Sequence, residues 1–184
     1  MAATAGRLGR TAGGDVTGSL QLTLQLPRGP ARVGEPVPVG VRVTNVGERP
    51  VQMVGVVDGS ETGQRFPYYL PAIRAGDTVV RPGLPEDPLV GPLRRSDVIL
   101  LPPGDSFDPT SADGHAYLPL STFANFQPLS PGRYTFELTL DTRAPDPARW
   151  LGRFGQDAER EAVLAAVRTI PPVLLTAAVQ VEVH

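Results

Sequence analysis

The stretch Pro131-Gly132-Arg133-Tyr134-Thr135-Phe136-Glu137-Leu138-Thr139-Leu140 decides how this chain is read. A Pro-Gly turn feeds a strict alternation. Tyr134, Phe136, Leu138 and Leu140 fall on one side, and Arg133, Thr135, Glu137, Thr139 and Asp141 on the other. Successive side chains of a strand point to opposite faces, so period two predicts a strand with one face buried and one in water. A Tyr two residues after such a turn resembles a tyrosine corner, in which the phenol bonds back to the upstream chain and pins a crossover.

The same alternation recurs on both sides of this stretch. Leu20, Leu22, Leu24 and Leu26 share one face of 19–26, and Val37, Val39, Val41 and Val43 share one face of 36–44. Pro38 sits on the outward set of the second run, which places a strand end or an unpaired edge there. Further strands are expected at 51–57, 77–81 and 97–101, and at 173–183 with Ala177, Val179, Val181 and Val183 on one face. With 132–141 these make seven. Phe107 reads as a restart of pairing and 116–120 as a short edge strand. Residues 1–18 read as a flexible N-terminal tail, and 19–184 as one domain.

Between the last two strands the period changes. Asp146-Pro147 is an N-cap followed by Pro at the first helical position. Ala158, Ala162, Val163, Ala166 and Val167 form a stripe at helical spacing within 156–168, and Pro171-Pro172 stops it. The expected fold class is therefore all-β: an antiparallel β-sandwich of about seven strands, with a helical excursion at 143–172 before the last strand.

Four turns carry a resemblance. Gly34-Glu35-Pro36-Val37 and Val43-Thr44-Asn45-Val46-Gly47 look like a strand and turn of bacterial Ig-like modules. Leu101-Pro102-Pro103-Gly104-Asp105-Ser106-Phe107 and Leu129-Ser130-Pro131-Gly132-Arg133-Tyr134 look like the later Pro-Gly landmarks of that group. In this spacing they also resemble the bacterial intracellular proteinase inhibitor family, over roughly two thirds of the chain. The resemblance implies an Ig-like sandwich and, as an activity, proteinase inhibition.

Composition narrows the chemistry. The chain has 184 residues, no Cys, and a net charge of -2. Without Cys there are no disulfides, no thiol catalysis and no Cys-ligated zinc or iron–sulfur centre. All 17 basic residues are Arg, so lysine Schiff bases are excluded. The charge balance favours neither nucleic acid nor an anionic membrane surface. No apolar run of 18 residues is present, so no membrane span is expected. The first ten residues lack an apolar core or a lipobox, which predicts a cytoplasmic protein unless a signal was removed.

Candidate site residues are few. Motifs for a nucleophile elbow, a dinucleotide loop, a phosphate loop or a zinc protease are absent. Asp105, Asp108, Asp113 and His115 form the one acidic cluster with a His, read either as a solvated turn or, alternatively, as the weak centre of a metal-binding or enzymatic protein. Arg65, Phe66, Tyr68, Tyr69 and Arg74 have the composition of a protein-contact surface. The same rings read equally as a cap over the open end of a core. Trp150 reads as the anchor of the helical excursion or as a ligand platform. The expectation is a non-enzymatic, cofactor-free module whose partner is another protein, bound through the long connections at 60–96 and 143–172.

Overall fold

The computed structural model describes residues 11–12, 16–26, 29–81, 90–111 and 120–184. Its strands are β1 (Thr11–Ala12), β2 (Val16–Thr17), β3 (Leu20–Gln25), β4 (Gly40–Asn45), β5 (Val51–Val54), β6 (Tyr68–Ala75), β7 (Thr78–Val79), β8 (Val98–Leu101), β9 (Ser106–Phe107), β10 (Gly132–Asp141) and β11 (Leu174–Val183). Two short helices, α1 (Ser121–Ala124) and α2 (Arg160–Val167), complete the regular structure. Strand outweighs helix, 36% against 15%, and the sheets are antiparallel. No helix among the described residues is long and apolar enough to cross a membrane.

The longest ladder is the one the sequence marks most clearly. β10 is the second strand of a sheet ordered β11–β10–β6–β7. Tyr134, Phe136, Leu138 and Leu140 are buried, and they stand opposite Val181, Val179, Ala177 and Leu175 of β11. A second sheet runs β1–β3–β4–β9, with β2 also paired to β3. It turns Leu20, Leu22, Leu24, Val41 and Val43 inward, and the buried apolar residues of both sheets form one core cluster. Tyr134 Oη donates to the Ser130 carbonyl at 2.9 Å, which is the upstream bond of a tyrosine corner.

A third, two-stranded sheet pairs β5 with β8. Asn45, fully buried, ties it to the second sheet. Its Nδ2 donates to the carbonyls of Arg49 (2.8 Å) and Leu101 (2.9 Å), and its Oδ1 accepts from Gly47 N at 2.9 Å.

Several expectations are corrected. The connection at 60–96, expected to hold a strand only at 77–81, contains an eight-residue strand, β6. Pro71 hides it, yet costs the sheet nothing. Tyr69 N donates to Ser60 O and Val80 N donates to Ile73 O, so the odd-numbered residues of β6 aim their backbone away from β10. The missing Pro71 N–H falls on that outer side. The N-terminal tail ends earlier than residue 18, since Thr11–Ala12 and Val16–Thr17 pair with β3. Strands expected at 36–44 and 77–81 shrink to Gly40–Asn45 and Thr78–Val79, and the described residues hold eleven strand segments where about seven were expected. The helix expected over 156–168 is a 3-10 turn at Asp157–Glu159 leading into α2. The edge strand expected at 116–120 lies outside the described residues except for buried Leu120.

Thr142 closes the β10–β11 hairpin before the chain departs on its excursion. Its backbone N–H donates to Val173 O at 2.9 Å. Its hydroxyl donates to Pro171 O at 2.7 Å and accepts from Val173 N at 2.8 Å.

Candidate functional site

β6 and β10 run antiparallel, so Tyr68 and Asp141 lie at one end of the sheet. The two long connections meet at that end and lock together through their backbones. Arg153 N donates to Val90 O at 2.9 Å and Phe66 N to Arg149 O at 3.1 Å. Gln156, buried, accepts from Leu93 N (2.8 Å) and Gly152 N (2.9 Å) and donates to Leu93 O (2.8 Å). Gly152 lies so close that a Cβ there would sit 2.1 Å from the Gly91 carbonyl oxygen. Only glycine permits that approach.

A buried charge cluster supports the junction from below. Arg65 is 2% exposed. Burial pushes its guanidinium down to about 10, while the charges of Asp58 and Asp97 act in the opposite direction. Arg65 Nη1 donates to Gly91 O at 2.5 Å, and Asp58 Oδ2 accepts from Gly91 N at 2.8 Å. Asp97 Oδ2 accepts from Arg94 N at 2.8 Å. The hydrogen bond to Gly91 O and the nearby charges of Asp58 and Asp97 offset part of the cost of burying this guanidinium.

The structure disperses the residues expected to form a contact surface. Phe66, Tyr69 and Trp150 are buried in the core, and Arg65 beneath the junction. Tyr69 follows from the alternation of β6, which turns it inward, where its Oη donates to Val54 O at 2.9 Å. Phe66 stacks on Tyr68 with centroids 3.8 Å apart and lies 6.1 Å from Trp150, which fastens the excursion to the sheet. Tyr68 stays half-exposed and accepts from Arg149 Nη2 at 2.7 Å. Arg74, half-buried, sits opposite Thr135 at the other end of β6, roughly 20 Å from Tyr68 at 3.3 Å per residue.

What the junction does expose is Phe154, 55% accessible, with Arg94, Arg149 and Arg153 exposed beside the same backbone contacts. Among the described residues the ion pairs are Arg133–Glu182 (3.4 Å) and Arg143–Asp141 (3.0 Å), so these three arginines hold none. Phe154 was legible in Gly152-Arg153-Phe154-Gly155, an aromatic bracketed by glycines on a loop. At the margin of the site, burial raises the Asp141 carboxyl, but hydrogen bonds and charge from Arg143 outweigh this and hold it below its usual range.

The acidic loop is a turn as far as Ser111. Asp108 Oδ1 accepts from the backbone N–H of Thr110 at 2.8 Å, and the exposed Asp105 accepts from Asn45 N through its backbone carbonyl. Asp113 and His115 lie outside the described residues. Among the described residues no three His, Cys, Asp or Glu side chains stand close enough to share a metal ion.

A distant carboxylate organises the start of α1. Glu61 accepts from Ser121 N (2.9 Å), Ser121 Oγ (2.6 Å) and Thr122 N (3.0 Å), so a residue 60 positions upstream caps α1.

Comparison with protein-family models, with curated proteins and with solved structures finds no match.

Proposed function

We propose that this protein is a non-catalytic interaction module on an Ig-like β-sandwich, and that it binds another protein through the end where its two long connections lock. The sandwich reading is supported by the two antiparallel sheets over one core and by the Tyr134–Ser130 bond. The observation that carries the binding reading is Phe154, exposed among Arg94, Arg149 and Arg153 on a loop fixed by Gln156. Aromatic and arginine side chains dominate interface energetics, and a loop already rigid loses little entropy on binding. Three exposed arginines that hold no ion pair among the described residues suit an acidic partner surface.

The test is quantitative affinity capture with mass spectrometry. Phe154→Ala combined with Arg153→Ala should lose a protein that the wild type retains, with affinity falling at least about tenfold and the melting temperature unchanged. Glu137→Ala, on the outer face of β10, should retain it. A capture profile identical for all three overturns the proposal.

A second reading, proteinase inhibition, is supported by the contact between two of the turns that carry the resemblance. Asn45 of 43–47 bonds Leu101 and Asp105 of 101–107. Full activity of a broad serine-proteinase panel at excess protein removes it.

A further inference from the structure

The opposite end of β6 and β10 carries a second surface of different chemistry. A groove of about 600 Å³ lies between the β6–β7 hairpin and the 125–130 segment. Its walls include Val80, Phe126, Leu129 and Tyr134. Leu129 is 91% exposed and Val79 49% exposed, the two exposed large apolar residues of its lining. Apolar surface this open at a concave place is a recognised mark of a docking site.

The backbone beside the groove is that of an unfinished sheet. Val80 N donates to Ile73 O at 2.7 Å, and Arg74 stands opposite Val79. In an antiparallel ladder bonded and non-bonded pairs alternate. Ile73–Val80 is a bonded pair, so Val79 aims its N–H and C=O away from β6, and Arg81 does the same one step further on. β7 is the last strand of its sheet among the described residues. An edge of this kind accepts extended backbone.

Charge selects among extended segments. Arg81 is the only charged side chain among the described residues that line the groove. One of its guanidinium nitrogens reaches the Pro71 carbonyl at 3.3 Å, and the residue is exposed. The chain's own first ten residues contain Arg7 and Arg10 and no acid, so their charge is the wrong sign for this seat.

We propose that the groove beside β7 is a strand-addition site for an extended, carboxylate-bearing segment of a partner protein. The segment pairs with the outward N–H and C=O of Val79, lays an apolar side chain against Phe126 and Leu129, and sets an acidic side chain or C-terminal carboxylate on Arg81. Backbone pairing supplies affinity, and the alternating side chains supply specificity. The site is distinct from the Phe154 end, about 23 Å away along β6 at strand spacing.

The probe is a library of random eight-residue peptides displayed with free C-termini and selected on the full chain. Enriched peptides should alternate apolar residues and carry an acid or end on one, and the best is then measured by fluorescence anisotropy. Its amidated or Asn/Gln counterpart should bind at least fivefold more weakly, and Arg81→Gln should erase that difference. Val79→Pro removes an outward N–H that no ladder among the described residues uses, and should weaken binding tenfold or more. Leu129→Asp, at a fully open position that cannot disturb the core, should do the same, and it decides the matter if Val79→Pro misfolds. Phe154→Ala with Arg153→Ala should leave peptide affinity unchanged. No enrichment, a basic consensus, equal binding by Leu129→Asp, or a self-associated chain with Leu129 buried in its own interface would each overturn the proposal.

Discussion

Replacing Gly152 by Ala tests the lock between the two connections directly. The new methyl would lie 2.1 Å from a backbone oxygen, that of Gly91, and no side-chain rotation relieves this. Segments 90–93 and 152–156 must separate by more than about 1 Å to restore ordinary contact. That motion pulls on four hydrogen bonds that cross between them: Leu93 N to Gln156 Oε1, Gln156 Nε2 to Leu93 O, and Arg153 N and Phe154 N to Val90 O. At roughly 1 kcal/mol each, the loss is about 3–4 kcal/mol, a large part of a typical folding free energy. With a urea m-value near 2 kcal/mol/M, the midpoint should fall by roughly 1.5–2 M. If the excursion instead opens as a local unit, the midpoint moves less and limited proteolysis cuts within 143–172. Gly29→Ala is the control, since a Cβ there meets nothing within 4 Å, and it should stay within about 0.5 kcal/mol of wild type. A Gly152→Ala midpoint within about 0.3 M of wild type, with no new cleavage, refutes the lock.

Three further outcomes follow from single contacts. Tyr134→Phe loses the bond to Ser130 O and should cost about 1 kcal/mol, a fall of roughly 2–4 °C by calorimetry. Arg65→Leu removes the buried bond to Gly91 O and should cost about 1.5–3 kcal/mol in urea unfolding, whereas an unchanged midpoint would mean that the bond carries no net stability. The depressed Asp141 carboxyl contributes stability that is complete above its unfolded value of 3.8 and is lost as pH falls through its lower folded value. Arg143→Gln should therefore raise the Asp141 carboxyl in an NMR titration, and its stability deficit should vanish in acid.

The residues that announced the fold did so because burial imposed strict alternation on them. β10 and β11 read correctly over their whole lengths, since the sets Tyr134 to Leu140 and Ala177 to Val183 are apolar without interruption. β6 did not, because its inward set includes Pro71, whose tolerance depends on which way the backbone faces in the folded sheet. α1 had no local signal at all, since its cap is Glu61. For the candidate site, the composition of 65–74 and 150 was visible but its burial was not. Phe66 and Trp150 face each other across 84 residues of chain, and only the assembled junction decides that they point inward while Phe154 points out.

Thr142 gives the architecture a further property. Because its three bonds to Pro171 and Val173 complete the hairpin, the register of β10 on β11 does not depend on what is spliced between them. The excursion is a graft on a closed stem, held by Trp150 and Gln156 rather than by the turn it replaces. Its exposed residues can be exchanged without re-solving the scaffold, while the sheets stay as they are.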